Sequence, residues 1–159
     1  MAIASEICNS FKEEILQGGH CLNASGSTPA GNTIKCALYS SNSAVLSKST
    51  TQWTVASTPT ADPTNTYEVT TTGSGYTSGG NTLTNIDPTL ATDTAICDFS
   101  DTNWTSASFT ARGCLIYNST NANKSVCAIN FGADKTVTTG TFTIEFPAQT
   151  AGNAIIQIA

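Results

Sequence analysis

The stretch ARGCLIYNSTNANKSVCAINFG, from Ala111 to Gly132, decides the fold of this 159-residue chain. Two apolar runs of β-forming residues, Gly113–Tyr117 and Val126–Phe131, flank a polar connector, Asn118–Ser125. This arrangement is typical of an antiparallel hairpin that is buried on at least one face. The stretch therefore predicts a β architecture, and it contains no residue set that could catalyse a reaction.

Other short runs of apolar and β-branched residues predict further strands. They are Thr33–Tyr39, Tyr67–Thr72, Asn81–Ile86, Thr94–Phe99, Trp104–Thr110, Thr141–Phe146 and Ala154–Ile158. Turn residues separate several of them, at Asp87-Pro88, Asp101–Asn103 and Gly132–Asp134. Eight or nine short strands with few charges predict a mainly β fold, an antiparallel β-sandwich or jelly-roll-like single domain.

One short helix is predicted near the N-terminus. Ser10 and Glu13 have the spacing of a capping box, and Gly18-Gly19 ends the helix. The apolar residues on one face are Ile7, Phe11 and Ile15. A helix of about two turns is unstable alone, so it must dock on the β core or on a neighbouring subunit. We therefore divide the chain into an N-terminal segment, residues 1–22, with a role in assembly, and a β-sandwich domain, residues 23–159.

The charge balance excludes two classes of partner. The net charge is −5 and the isoelectric point is near 4.5, and the six Lys and Arg residues are scattered, so we predict no binding to nucleic acid. No apolar run approaches about 18 residues, so we predict no membrane span. The N-terminus MAIASEICNSFKEE lacks a basic segment followed by an apolar core. We therefore expect no signal peptide and synthesis in a cytosol.

Six cysteines raise the question of disulfides or a metal site. They are Cys8, Cys21, Cys36, Cys97, Cys114 and Cys127. No Cys-x-x-Cys pair occurs and the chain has one histidine, His20, which argues against a closed zinc site. Four of the cysteines lie in apolar strand-like runs, where a thiol acts as a small buried hydrophobe. Free buried thiols are favoured over bridges, with a contact between Cys114 and Cys127 across the hairpin left open.

The reactive residues are too few to predict an enzyme. His20 and Cys21 are adjacent, so in an extended chain their side chains point to opposite faces and do not form an activated pair. Asp93, Asp98 and Asp101 lack the ligand density of a calcium loop, and Asp98 and Asp101 are interpreted as turn residues beside Trp104. We predict no catalytic residues, no metal and no cofactor.

Two segments are candidates for contacts with other subunits. The first is Met1–Gly19, which contains the helix. The second is Ser40–Asn65, a long polar stretch with few large apolar residues and with Pro59 and Pro63. The candidate assembly contacts within these segments are Phe11, Ile15, Leu16, Val45, Leu46 and Trp53.

Four motifs and a closing strand carry a family resemblance that covers most of the chain. The motifs are FKEEILQGGH (Phe11–His20), NTIKCALYSS (Asn32–Ser41), GYTSGGNTL (Gly75–Leu83) and ARGCLIYNST (Ala111–Thr120), followed by TFTIEFPA (Thr141–Ala148). Their order and spacing resemble a family of small virion structural proteins of tailed bacteriophages and cyanophages. The motifs are structural rather than catalytic. Cysteines at strand positions, where Ala, Val or Ile is expected, are the one departure.

The resemblance implies a virion protein of the capsid cement or decoration type, made in the host cytoplasm. It implies binding to the major capsid protein, with stabilisation of the assembled shell. Symmetric self-association as a trimer or a dimer is expected, at local three-fold or two-fold positions.

Two other functions stay open at this point. The first is a tail- or fibre-associated protein that binds host glycans, for which exposed aromatic side chains would be needed. The candidate aromatic residues are Trp53, Tyr67, Tyr76 and Trp104. The second is a small hydrolase on a jelly-roll frame, for which His20 would be the one imidazole base.

Overall fold

The hairpin predicted at Ala111–Gly132 is the central part of a much longer hairpin in the computed structural model, which describes residues 5–40, 46–53 and 67–159. Strand β6 covers Thr102–Asn118 and strand β7 covers Lys124–Ile144. The predicted turn at Gly132–Asp134 is wrong. Gly132 has a φ of 77° and lies where β7 has three more residues than β6, so the glycine forms a bulge and the strand continues.

The main sheet is built around this hairpin. Its strand order is β1-β7-β6-β2-β3, and each neighbouring pair is antiparallel. The three shorter strands are β1 (Glu6–Ile7), β2 (Ile34–Tyr39) and β3 (Asn81–Thr82). Strand β2 agrees with the predicted Thr33–Tyr39, and it pairs along its whole length with the buried end of β6.

A second antiparallel sheet has three strands in the order β4-β5-β8. Strand β4 covers Asn85–Ala91, β5 covers Thr94–Phe99 and β8 covers Ile156–Ile158. The prediction for β5 is confirmed residue for residue. The turn predicted at Asp87-Pro88 is wrong, because β4 continues through it with an irregularity between Ile86 and Thr89. Proline is tolerated there because β4 is an edge strand.

Both sheets contribute to one apolar core. Leu38 of β2, Leu115 of β6 and Ile156 of β8 belong to a single cluster of buried residues. The described residues thus form a single mainly β domain with two antiparallel sheets and one short helix, as the sequence predicts.

Helix α1 covers Asn9–Leu16 and its predicted end is confirmed. Gly18 has a φ of 74°, and the amides of Gly18 and Gly19 donate to the carbonyls of Ile15 and Glu14. The predicted capping box is wrong, because the N-cap is Cys8, whose side chain makes no capping hydrogen bond to the helix. The helix begins directly after β1, which anchors it to the main sheet.

The predicted strand Tyr67–Thr72 is also wrong, since only an isolated bridge between Tyr39 and Glu68 forms there. Glu68 instead holds the glycine-rich loop that follows. Its carboxylate accepts hydrogen bonds from the Tyr76 hydroxyl at 2.7 Å, from the Gly79 amide at 2.6 Å and from the Ser78 hydroxyl at 3.1 Å. The glycines thus serve a tight β connection, and no helix follows the loop.

Candidate functional site: an uncovered apolar groove

The structure separates the predicted assembly contacts into buried and exposed residues. Phe11 and Leu46 are buried in the core of their own chain, so the prediction that their side chains contact a neighbour is corrected. Leu16 is 89% exposed, and Ile15 is half-buried. Val45 lies outside the described residues. The N-terminal helix thus keeps two of the predicted contact residues at the surface.

Trp53, the sixth predicted contact, is partly buried by the hairpin. Its ring stacks on Tyr117 with 5.5 Å between ring centroids and an interplanar angle of 12°. Its backbone amide donates to the Asn123 carbonyl at 2.9 Å. The tryptophan therefore fastens its segment to the hairpin connector.

The second sheet leaves apolar side chains uncovered where its strands extend beyond the core. Leu90 pairs with Ala95, and Ala95 pairs with Ile158, so the three side chains lie in a row on one face. On the same face, Cys97 and Ile156 are buried in the core. Leu90 is 71% exposed and Ile158 is 54% exposed. The core-facing side of the sheet therefore overhangs the core and ends in an apolar stripe, Leu90, Ala95 and Ile158.

A groove of about 280 Å³ lies between this overhang and the N-terminal segment. We call it the overhang groove. Its lining is mostly apolar and includes Ile15, Leu22, Pro29, Pro88, Ala95 and Ile158. One wall thus comes from the helix and the segment after it, and the other wall comes from the second sheet.

Hydrogen bonds between strand β4 and residues 23–32 hold the loop that contains Pro29 in place. The Asp87 carboxylate accepts from the Ala24 amide at 2.8 Å and from the Ser27 hydroxyl at 2.7 Å. These bonds hold the pKa of Asp87 below its ordinary value. Asn85 Nδ2 donates to the carbonyls of Asn23 and Asn32. The wall is therefore preorganised around Pro29.

The helical wall is fastened to the hairpin connector through His20, whose side chain is fully buried. Asn118 Oδ1 accepts hydrogen bonds from the backbone amides of Thr120 and Asn121. The other polar atom of this side-chain amide, Nδ2, must therefore be a hydrogen-bond donor. Asn118 Nδ2 lies 3.0 Å from His20 Nδ1. His20 Nδ1 is therefore the acceptor, which assigns the proton of the neutral ring to Nε2.

His20 Nε2 donates to Glu14 Oε2 at 2.8 Å, and Lys124 Nζ lies 3.0 Å from Glu14 Oε1. Burial raises the pKa of Glu14, but the hydrogen bonds from His20 and Lys124 outweigh it and hold that pKa below its ordinary value. A charged Glu14 thus joins α1 to the first residue of β7. Both ring nitrogens of His20 are thus engaged within the chain.

A second depression, of about 430 Å³, lies beside Trp53. It is lined by Trp53, Glu68, Val69, the three threonines at 70–72 and Ser78. Both oxygens of Glu68 already accept hydrogen bonds from the glycine-rich loop. Trp53 Nε1 is buried without a hydrogen-bond partner. Of the other aromatic residues predicted for glycans, Tyr76 and Trp104 are buried and Tyr67 is half-buried.

The six cysteines are free thiols, and five of them are buried. Burial raises the pKa of Cys8 and of Cys97 to about 12, because the thiolate would lose its hydration. Within residues 5–40, 46–53 and 67–159, no group of three or more His, Cys, Asp or Glu side chains is placed to hold a metal ion. In the same ranges, no helix is long and apolar enough to cross a membrane.

The sequence did not reveal Leu90 and Ile158 as surface residues. Leu90 follows Asp87-Pro88, which favoured a turn over a strand, and Ile158 belongs to an apolar run that is typical of a core strand. One feature of the sequence could have indicated that Leu90 is exposed. Leu90 is the one large apolar residue between Ile86 and Ile96.

Comparison of the chain with family models, with curated proteins and with solved structures finds no significant match.

Proposed function

We propose that this chain is a virion structural protein of a tailed bacteriophage, most specifically a capsid cement or decoration protein that binds the assembled shell. The observation that carries the proposal is the overhang groove, a preformed apolar surface between α1 and the second sheet. Exposed apolar side chains beside a preformed groove are a feature of surfaces that bind another protein. The motif resemblance supplies the kind of partner, the major capsid protein.

A binding role is supported over a catalytic one by the chain's single imidazole. Both ring nitrogens of His20 are engaged in hydrogen bonds, and its side chain is fully buried. A general base must reach a substrate proton, which this ring does not do from its position. We accordingly propose that the protein is not an enzyme and uses no cofactor.

The direct test uses shells of the phage that encodes the chain, prepared without this protein. Purified protein should cosediment with the shells and raise the temperature at which they release DNA. It should also be found in intact virions by mass spectrometry. If the protein neither binds the shells nor occurs in virions, the proposal fails.

The depression beside Trp53 favours a second candidate, a tail- or fibre-associated protein that binds host glycans. An indole beside several hydroxyl groups is a common surface for sugars. Binding on a glycan array that is lost in Trp53→Ala and retained in Leu90→Ala would support this candidate. It is the weaker of the two, because Tyr117 covers one face of the indole and Glu68 is already engaged.

A further inference from the structure

The net negative charge of the chain comes from two segments of the sequence. Residues 85–111 and 136–159 include all of the second sheet and contain five acidic side chains and no Lys or Arg. The rest of the chain contains six acidic and six basic side chains and is neutral. The net charge of −5 therefore belongs to the second sheet and to the distal ends of β6 and β7.

Two of these acids border the apolar stripe. Asp93 is exposed in the turn between β4 and β5, between the paired residues Leu90 and Ala95. Asp87 is exposed and precedes Pro88, which lines the overhang groove. The groove thus has an apolar centre and an acidic rim on the side of the second sheet.

This charge pattern distinguishes the possible occupants of the groove. A second copy that docked through the same surface would bring its own acidic rim against the first, and like charges oppose such contact. A different protein with Lys or Arg around an apolar side chain would match both the centre and the rim. Charge complementarity therefore points to a heterologous partner.

We infer that the overhang groove, together with the apolar stripe beside it, receives an apolar side chain of the shell protein that is flanked by Lys or Arg residues. This inference rests on the proposed function and specifies its contact surface. The sheet supplies a rigid apolar row, and the rim acids speed the encounter and select the partner. Any self-association of the chain then uses another surface.

The main experiment is cosedimentation of variants with shells that lack the protein. Leu90→Asp places a charge in the apolar row and should weaken binding at least about tenfold, the scale of an interface hot spot. Thr89→Asp is the matched control, because it adds the same charge to the neighbouring residue on the opposite face of β4. Thr89→Asp should bind within about twofold of the wild type. Because both positions are exposed, thermal unfolding should show that both variants fold.

A second pair of variants tests the rim. Asp93→Lys should weaken binding by about fivefold or more, and more salt should weaken the binding of the wild type but affect this variant less. Asp134→Lys is the control, because Asp134 lies on the hairpin beside Arg112, with 3.4 Å between the charged groups. It should bind like the wild type.

The outcomes separate the two proposals. Wild-type protein that does not bind shells overturns the proposed function and this inference together. Wild-type binding that is unaffected by both Leu90→Asp and Asp93→Lys overturns the inference and leaves the proposed function standing. Sedimentation velocity of the free protein provides a further test. If the wild type forms a dimer that Leu90→Asp abolishes, the inference is overturned, since a second copy would then cover the apolar stripe.

Discussion

The main sheet and the second sheet share one core but use their apolar residues differently. In the main sheet, β2 and the paired segment Gly113–Asn118 are buried along almost their whole length. In the second sheet, the same face is buried at Cys97 and Ile156 and exposed at Leu90 and Ile158. Burial therefore lets the main sheet stabilise the fold, whereas the uncovered end of the second sheet is available for binding.

The charges follow the same division. The ion pair between Glu14 and Lys124 joins α1 to the main sheet, and the neighbouring His20 hydrogen-bonds to the same carboxylate. The second sheet has no Lys or Arg with which its acids could pair within its own strands. Its surface is therefore both more apolar at the stripe and more acidic at the rim than the surface of the main sheet.

The largest expected difference between the sheets is in stability. Leu115→Ala removes a fully buried side chain from β6 and should lower the free energy of unfolding by about 3 kcal/mol. Leu90→Ala should change it by no more than about 0.5 kcal/mol, since that side chain is exposed. Urea unfolding followed by circular dichroism measures both. Equal losses would show that Leu90 is part of the core and would remove the distinction between the sheets.

A smaller loss is expected from a polar residue of the main sheet. Asn118→Ala removes an amide that donates to His20 and Asn32 and accepts from two backbone amides, so it should cost about 2 kcal/mol. The control is Asn153→Ala near the second sheet, where the side chain donates only to Thr150 at an exposed site. That change should cost about 0.5 kcal/mol or less. Urea unfolding measures both changes in the free energy of unfolding. If Asn118→Ala leaves that free energy unchanged, the assigned hydrogen-bond network is contradicted.

The sequence predicted the hairpin, β2 and β5 because each is a run of apolar residues with clear ends. It missed the true length of β6 and β7, because Gly132 and the residues around it resemble a turn. Only pairing with the opposite strand shows that they form a bulge. It also missed the capping role of Cys8, because docking of β1 sets the start of the helix rather than a side-chain cap.

The site was less predictable than the fold. The N-terminal segment was identified from its apolar helix face, and Ile15 does line the groove. Phe11 belongs to the same face but is buried, since the helix rests on the main sheet along that side. The apolar stripe beside the groove could not be found from the sequence, because the exposure of Leu90 and Ile158 depends on how far the second sheet extends beyond the core.

The two sheets should also differ in their response to pH. The pKa of Glu14 is lowered in the fold, so its stabilisation is fully present above the unfolded-state pKa and is lost as pH falls through the folded value. The pKa of Asp98, in β5, is raised by burial, which outweighs the hydrogen bonds that it accepts. Its protonated form therefore favours the fold, and this contribution is present below the unfolded-state pKa and lost as pH rises through the folded value.

Unfolding free energies measured from pH 3 to pH 7 in Glu14→Gln and Asp98→Asn test this difference. Relative to the wild type, Glu14→Gln should lose less stability on acidification. Asp98→Asn should lose less stability as pH rises. Parallel pH profiles for the wild type and both variants would show that neither carboxylate is linked to folding in the expected way.

The smallest expected effect concerns the reactivity of the cysteine thiols. The labelling rate of Cys97 reports where the second sheet enters the core. Cys97 is buried with a raised pKa, whereas Cys21 is half-buried in the segment before the Pro29 loop. In the folded protein, a thiol reagent should label Cys21 rapidly and leave the other five cysteines protected, because reaction requires an accessible thiolate. Cys21→Ser should abolish the rapid phase with little change in stability. Rapid labelling of Cys97 in that variant would mean that the second sheet separates from the core at this residue, so that the exposed stripe extends further along β5 than the structure shows.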